Sequence, residues 1–323
     1  MPAKDAAIKK KPASRKKKLF TRDDGELTLL SLPTIIWFVL FSYLPMFGIV
    51  IAFKNYRMIP GEGFLSSLIQ SDWVGFKNFR FMFLTADAWI MVRNTLLYNF
   101  AFIVIEMFLP VTLAILMSQL ISDRLRKISQ TAMFLPHFLS WVVVAYFVFS
   151  FLSYDKGIAN QILISLGTEP VNWYAEGKYW PYILVFLNTW KTVGYSMVIY
   201  LASIAGIDHS FYEAAVIDGA TKWQQARSVT LPQLKPVIVI LLILAMGRIF
   251  NSDFGLFYQA TRASGQITDY RQTIDTYVYT ALMKLNNIGF SSAASALQSV
   301  VGCVMITLAN FVVRKIDPDS SLF

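Results

Sequence analysis

Six long apolar runs separated by polar stretches set the rhythm of this chain: approximately Leu29 to Phe53, Arg93 to Met117, Ser129 to Leu152, Pro181 to Ala202, Pro236 to Leu256 and Ser291 to Val313. Each reaches about 20 residues, the length a helix needs to cross the hydrocarbon core of a bilayer. The pattern predicts an all-α fold: a polytopic membrane helical bundle with six transmembrane helices. The first run is too long for the core of a signal peptide and has no small-residue cleavage site after it, so it reads as an uncleaved anchor. Prolines 110 and 136 fall inside runs, where a missing amide permits a kink.

Between the fourth and fifth runs lies a polar, cap-rich island, Ser210 to Pro236. Ser210 and Glu213 have the spacing of a capping box, which predicts a helix starting near Phe211. Asp218-Gly219 should end it, because glycine accepts the left-handed conformation that closes helices. Thr221 and Gln224 repeat the cap spacing, predicting a second short helix from Lys222 toward Thr230-Leu231-Pro232. Phe211, Ala214, Ala215 and Ile217 give the first helix a small, apolar surface suited to a partner's groove.

Taken together, Glu213-Ala214-Ala215, Gly219-Ala220, Leu231-Pro232 and Pro236 resemble the EAA loop of the membrane subunits of ATP-binding-cassette importers. The resemblance implies a cytoplasmic coupling helix that sits in a cleft of the ATPase subunit, with Glu213, Ala214, Ala215, Asp218 and Gly219 as docking residues. Leu135-Pro136-His137-Phe138 with Ser140-Trp141, and Asp275-Thr276-Tyr277-Val278-Tyr279, look like stretches of permeases for complex oligosaccharides, relatives of the maltose and alginate importers. The likeness runs from about Leu27 to the C-terminus. It implies a second homologous permease in a heterodimer, two ATPase subunits, an extracytoplasmic solute-binding protein and a carbohydrate substrate. No cofactor is expected in this chain, since ATP and Mg would sit on the partner ATPase.

Composition agrees with a membrane protein: 55% of the 323 residues are hydrophobic and 15% aromatic, more apolar surface than a soluble domain of this size hides. The net charge of +9 does not point to nucleic acid. Nine basic residues crowd into Lys4 to Arg22 without aromatic interleaving, as expected of an arm held at an anionic lipid surface. Lysines and arginines number seventeen in the N-tail, Asp123 to Ile128, the EAA segment and the C-tail, against nine in the alternate loops. That bias predicts a multi-pass protein with N- and C-termini in the cytoplasm, and the resemblance implies that the membrane is the bacterial cytoplasmic (inner) one. The domains follow: a basic cytoplasmic tail (1–26), a six-helix permease domain (27–316) and a short cytoplasmic C-terminal tail (317–323).

Charge inside a bilayer is costly, so Glu106, Lys191 and Arg248 should face protein or water. Arg248, Asn251, Lys191, Trp190 and Tyr195 are candidates for the substrate pathway, since sugars are held by planar hydrogen-bonding groups and by aromatic faces. Asn251 stands three residues after Arg248 and would share its helix face. A competing reading has these groups pairing structurally, for instance Lys191 with Glu106. Asp253 reads as a solvated helix terminus, His137 as a hydrogen-bonded packing residue, and Cys303 as a small buried hydrophobe. Asn172-Trp173-Tyr174 and Tyr179-Trp180 read as interfacial anchors. The 33 residues from Phe257 to Gly289 read as an outer, polar loop.

No G-x-x-x-x-G-K-[ST], H-E-x-x-H or G-x-S-x-G segment occurs, and no cluster has metal-ligand spacing. A chain without a phosphate-cradling loop is not expected to hydrolyse ATP itself. Two other classes remain: an ion-coupled secondary transporter relaying charge through Glu106 and Lys191, and a membrane-embedded enzyme, for which no convincing pair of carboxylates or histidines is present.

Overall fold

The computed structural model describes residues 22–323 apart from Leu285. Residues 1–21, most of the expected basic tail, lie outside the described residues. The chain divides into two units, Met1–Gly48 and Ile49–Phe323. In the first, helix α1 (Arg22–Phe38) passes into π-helical Val39–Tyr43 and a 3₁₀ stretch, Leu44–Phe53, that crosses the unit boundary.

The second unit is helical throughout. Two short helices, α2 (Phe64–Gln70) and α3 (Lys77–Leu84), lead into α4 (Ala86–Ser118), which stays continuous through Pro110. Then follow α5 (Asp123–Phe134), α6 (Trp141–Leu152), α7 (Ile158–Ser165) and α8 (Trp180–Ala205). Next come α9 (His209–Ile217), α10 (Lys222–Gln225) and α11 (Leu231–Gly247), and finally α12 (Thr268–Arg271), α13 (Ile274–Met283) and α14 (Ile288–Ile316). The chain is an all-α membrane bundle.

Each apolar run falls on helix, with three changes of outline. The third run is not one rod: Asp123–Phe138 and Trp141–Leu152 meet at 99°. Pro136 has no amide for the preceding turn, and Ser140 starts the new helix by accepting from the Val143 amide. The fifth run begins earlier and ends earlier than its hydropathy suggests. The helix from Lys222 continues through π-helical Ala226–Thr230 into α11 and stops at Gly247. Pro232 does not separate the two helices: the π-helical turn Ala226–Thr230 just before it carries the winding past its missing amide.

Among the described residues, four helical stretches are long and apolar enough to cross a membrane, Gly25–Phe53, Asp87–Ser118, Lys222–Gly247 and Ile288–Ile316, and the bent pair makes a fifth. The remaining expected span, α8, has 26 residues, about 39 Å of helix. Asn188, Thr189, Lys191 and Thr192 in its middle make it less apolar than the others.

Helices α4 and α8 lie side by side and parallel. Tyr98 shares a buried cluster with Trp180 and Leu184, while Val111 and Ala114 share another with Met197, Ile204 and Leu234 of α11. The ends of α4 and α8 therefore gather beside the start of α11. Lys235 pairs with Asp317 at 2.8 Å, bringing the end of α14 to the same place. Gly194 lets α8 approach α5 closely: a Cβ there would collide with the Met133 carbonyl.

Two predicted surfaces also contribute residues to the core. Trp180 is fully buried and donates to the Trp173 carbonyl at 2.7 Å, and Trp173 donates to Asn160 Oδ1 at 2.9 Å. Trp180 is a core residue, and Trp173 is half-buried beside it. The stretch after Phe257 buries Phe257 and Ile267 in the cluster of Tyr98 and Trp180, and Ile274 in that of Met91 and Phe290. The last seven residues are docked as well: Asn310 holds the Phe323 carbonyl at 2.6 Å and the Leu322 amide at 2.7 Å.

Candidate functional site

The first candidate surface is α9. Its N-cap is Asp208, which accepts from the Ser210 amide at 2.9 Å. The expected Ser210–Glu213 box is not formed, and the helix starts two residues earlier than predicted. Asp208 supplies a carboxylate, a stronger acceptor beside the positive end of a helix than a serine hydroxyl. The Ser210 backbone hydrogen bond holds the Asp208 carboxyl below its ordinary range.

The other end closes as expected. Gly219 has φ +77°, its amide donates to the Val216 carbonyl at 3.0 Å, and the Ala220 amide reaches back to Ala215 at 2.8 Å. This pair of bonds is a Schellman closure. Thr221 and Gln224 then form a complete capping box. Glu213, Ala214, Asp218 and Gly219 are exposed and Ala215 is half-buried. Phe211, Val216 and Ile217 are 51%, 59% and 85% exposed, an uncovered apolar surface of the kind that marks a docking site.

Beyond the Gly219 corner one uninterrupted helix runs from Lys222 to Gly247, and there the backbone leaves helical winding until Phe254. Irregular backbone at membrane depth is tolerated where protein satisfies it or water reaches it. Here side chains from three other helices do so. Asn99 of α4 donates to the Ile249 and Asn251 carbonyls, both at 2.8 Å. Gln298 of α14 donates to the Phe250 carbonyl at 2.7 Å. Asp275 of α13 accepts from the Ser252 amide at 2.6 Å and from its hydroxyl at 2.8 Å. Asp253 accepts from Trp141 Nε1 at 2.6 Å and from the Gly255 amide at 2.8 Å. It stands exposed at a helix start, as expected, and is tied there by these two bonds as well.

The break forms one wall of a cavity of about 930 Å³ between α4, α8, α11 and α14. Arg248, Asn251 and Tyr195 line it, as predicted for the pathway. Arg248 and Asn251 do so from irregular backbone, not from a shared helix face. Lys191 and Trp190 do not line it. Lys191 Nζ donates to the His137 and Leu139 carbonyls at 2.8 and 2.7 Å, taking up carbonyls freed at the 99° bend. It does not pair with Glu106, which lies on the cavity wall. His137 stacks on Tyr195 with ring centres 4.6 Å apart and reaches the cavity. Cys303 is exposed on the wall instead of buried, because α14 turns that face toward the opening.

Glu106, Asn188 and Gln298 were not among the predicted lining residues. Their signal was polarity within an apolar run. The two oligosaccharide-permease stretches converge on the break, Trp141 through Asp253 and Asp275 through Ser252.

The sequence family described as "Binding-protein-dependent transport system inner membrane component" matches residues 106–320. The chain is 34% identical over 314 residues to the polygalacturonan/rhamnogalacturonan transport system permease protein YteP of Bacillus subtilis (strain 168), covering 97% of this chain and 95% of that one. It is 32% identical over 296 residues to protein LplB of the same organism, covering 92% and 91%. It superposes with TM-score 0.81 and 31% identity on a chain from the crystal structure of a bacterial ABC transporter involved in import of the acidic polysaccharide alginate, covering 91% and 97%. A second crystal structure, that transporter type with an alginate pentasaccharide-bound periplasmic protein, gives 0.80. The chain belongs to the family of inner membrane components of binding-protein-dependent transport systems and is a permease subunit of an ATP-binding-cassette importer.

Proposed function

We propose that this permease carries an oligosaccharide inward through the cavity beside the Arg248–Asp253 break, driven by ATP hydrolysis in partner subunits. The observation that carries this reading is the continuity of Lys222–Gly247. One continuous helix runs from the Gly219 corner at the end of α9 to the cavity wall, and Tyr212 of α9 is hydrogen-bonded to Thr230 of that helix, so displacement of α9 can reach the cavity. The relatives named for polygalacturonan, rhamnogalacturonan and alginate support a carbohydrate.

In this reading α9 is the coupling helix, with Glu213, Ala214, Ala215, Asp218 and Gly219 facing the ATPase. ATP and Mg belong to that partner, and this chain needs no cofactor of its own. The wall of the cavity left open by this chain is completed by a second, homologous permease, and a solute-binding protein delivers substrate at the end opposite α9. The nine lysines and arginines between Lys4 and Arg22 support a cytoplasmic N-terminus, and six crossings return the C-terminus to the same side. Both termini are then cytoplasmic.

The test is co-expression of this chain with its partner permease and ATPase, followed by uptake in proteoliposomes. ATP-dependent uptake that stops when the ATPase is inactivated is expected. Uptake that persists without ATP and follows an ion gradient would overturn the reading.

A further inference from the structure

We propose that Arg248 is the specificity-determining residue of the pathway and that it reads a carboxylate, so that the transported oligosaccharide contains uronic-acid units. This deepens the importer reading and rests on it. The argument starts from how firmly the break is held. The Ile249, Phe250 and Asn251 carbonyls and the Ser252 amide are each taken by a side chain of another helix. A frame fixed at four consecutive residues presents its side chains with little freedom left to lose on binding.

What the frame leaves unmatched is the Arg248 guanidinium. It is exposed on the cavity wall and, among the described residues, forms neither an ion pair nor a side-chain hydrogen bond. The neighbouring Asn251 side chain is in the same position. Asp253 holds Trp141 and the Gly255 amide, and among the described residues neither it nor Glu106 pairs with Arg248. An unpaired charge at membrane depth is costly until something neutralises it. A guanidinium fork matches a carboxylate with two parallel hydrogen bonds, a match that neutral hydroxyls do not provide. A uronic-acid oligosaccharide supplies both kinds of group, a carboxylate for Arg248 and hydroxyl donors for Asn251 and Glu106.

Cys303, free and on the same wall, gives a reporter inside the cavity. The assembled importer is alkylated with N-ethylmaleimide, and modification of Cys303 in this chain is followed by mass spectrometry. The probes are trigalacturonate and its fully methyl-esterified form, which differ in charge and little in shape. Working without the solute-binding protein removes that protein's own selectivity. In the wild type, trigalacturonate should slow alkylation at concentrations about ten-fold lower than the ester. R248Q should erase that difference, and R248K should keep part of it. Co-purification of the ATPase with each variant reports whether the bundle is intact. Equal protection by acid and ester, protection by neither, or an acid preference that survives in R248Q would overturn the proposal. None of these results touches ATP-driven transport, which stands or falls by the uptake assay.

Discussion

The hydroxyls of Tyr212 and Thr230 lie 3.0 Å apart. This contact fastens the middle of α9 to the foot of the rod that ends at the cavity. Thr230 is 3% exposed and sits at the last π-helical position, with its own hydroxyl 3.5 Å from the Gln225 carbonyl. The widened turn carries a backbone mismatch of the kind often found at functional sites. The docking surface is thus tied to α11 directly and not only through the Gly219 corner.

Removing that tie should loosen the coupling and leave the bundle standing. A net contribution of about 1 kcal/mol for one hydrogen bond corresponds to roughly five-fold in an equilibrium. Tyr212→Phe is expected to lower uptake per ATP hydrolysed about five-fold, with ATPase co-purification unchanged. The ratio of transport to hydrolysis in proteoliposomes measures this, and an unchanged ratio would assign the contact no mechanical role.

The closure at Gly219 should be needed for docking. A β-carbon meets no neighbour there, so the constraint is the backbone φ of +77° alone. Gly219→Ala is expected to cost about 1 kcal/mol in the local fold. Gly219→Pro, which cannot adopt this φ, and Ala215→Arg on the docking face should abolish ATPase co-purification while membrane insertion persists. Retained co-purification in both would exclude α9 as the docking element.

Lys191 should behave as a positioning residue for the bend. Lys191→Met leaves the His137 and Leu139 carbonyls without their donor, at a cost of about 1–3 kcal/mol for each buried group. A lower thermal unfolding temperature in detergent is expected. Tyr195, stacked on His137, should become more accessible to modification. A variant with full stability would mean that water replaces the ammonium.

The Asp208 cap sets a pH dependence at the coupling helix. The carboxyl is held below its ordinary value of 3.8 by the Ser210 hydrogen bond. A depressed folded-state pKa gives stabilisation that is present in full above the unfolded value and is lost as pH falls through the folded one. Exchange protection of amides in α9 should therefore fall below about pH 4. Asp208→Asn, which still accepts from Ser210, should lack that step. Identical profiles for the two proteins would remove Asp208 from the account.

Much of this molecule was legible in the order of its residues. Membrane crossing depends on the apolar content of about 20 consecutive positions, so each of the six runs emerged mainly as helix, the third bent and the fifth cut short. The Thr221–Gln224 box and the Gly219 stop also emerged, because capping is settled within four residues. Asp208 and Ser210 offer competing caps, and only the folded helix distinguished them.

The cavity is a different matter. Its frame rests on contacts between residues far apart in the chain: Asn99 with Ile249, Trp141 with Asp253, Lys191 with His137, Asp275 with Ser252. Hydropathy reads Pro236 to Leu256 as one span, since polarity at Arg248, Asn251 and Asp253 is too sparse to end it. Packing ends the helix at Gly247 because other helices offer the freed carbonyls better donors than the next turn would. Composition thus fixed which segments enter the membrane, by free energies that add along the chain. Where a segment opens toward substrate depended on partners that meet only after the bundle assembles.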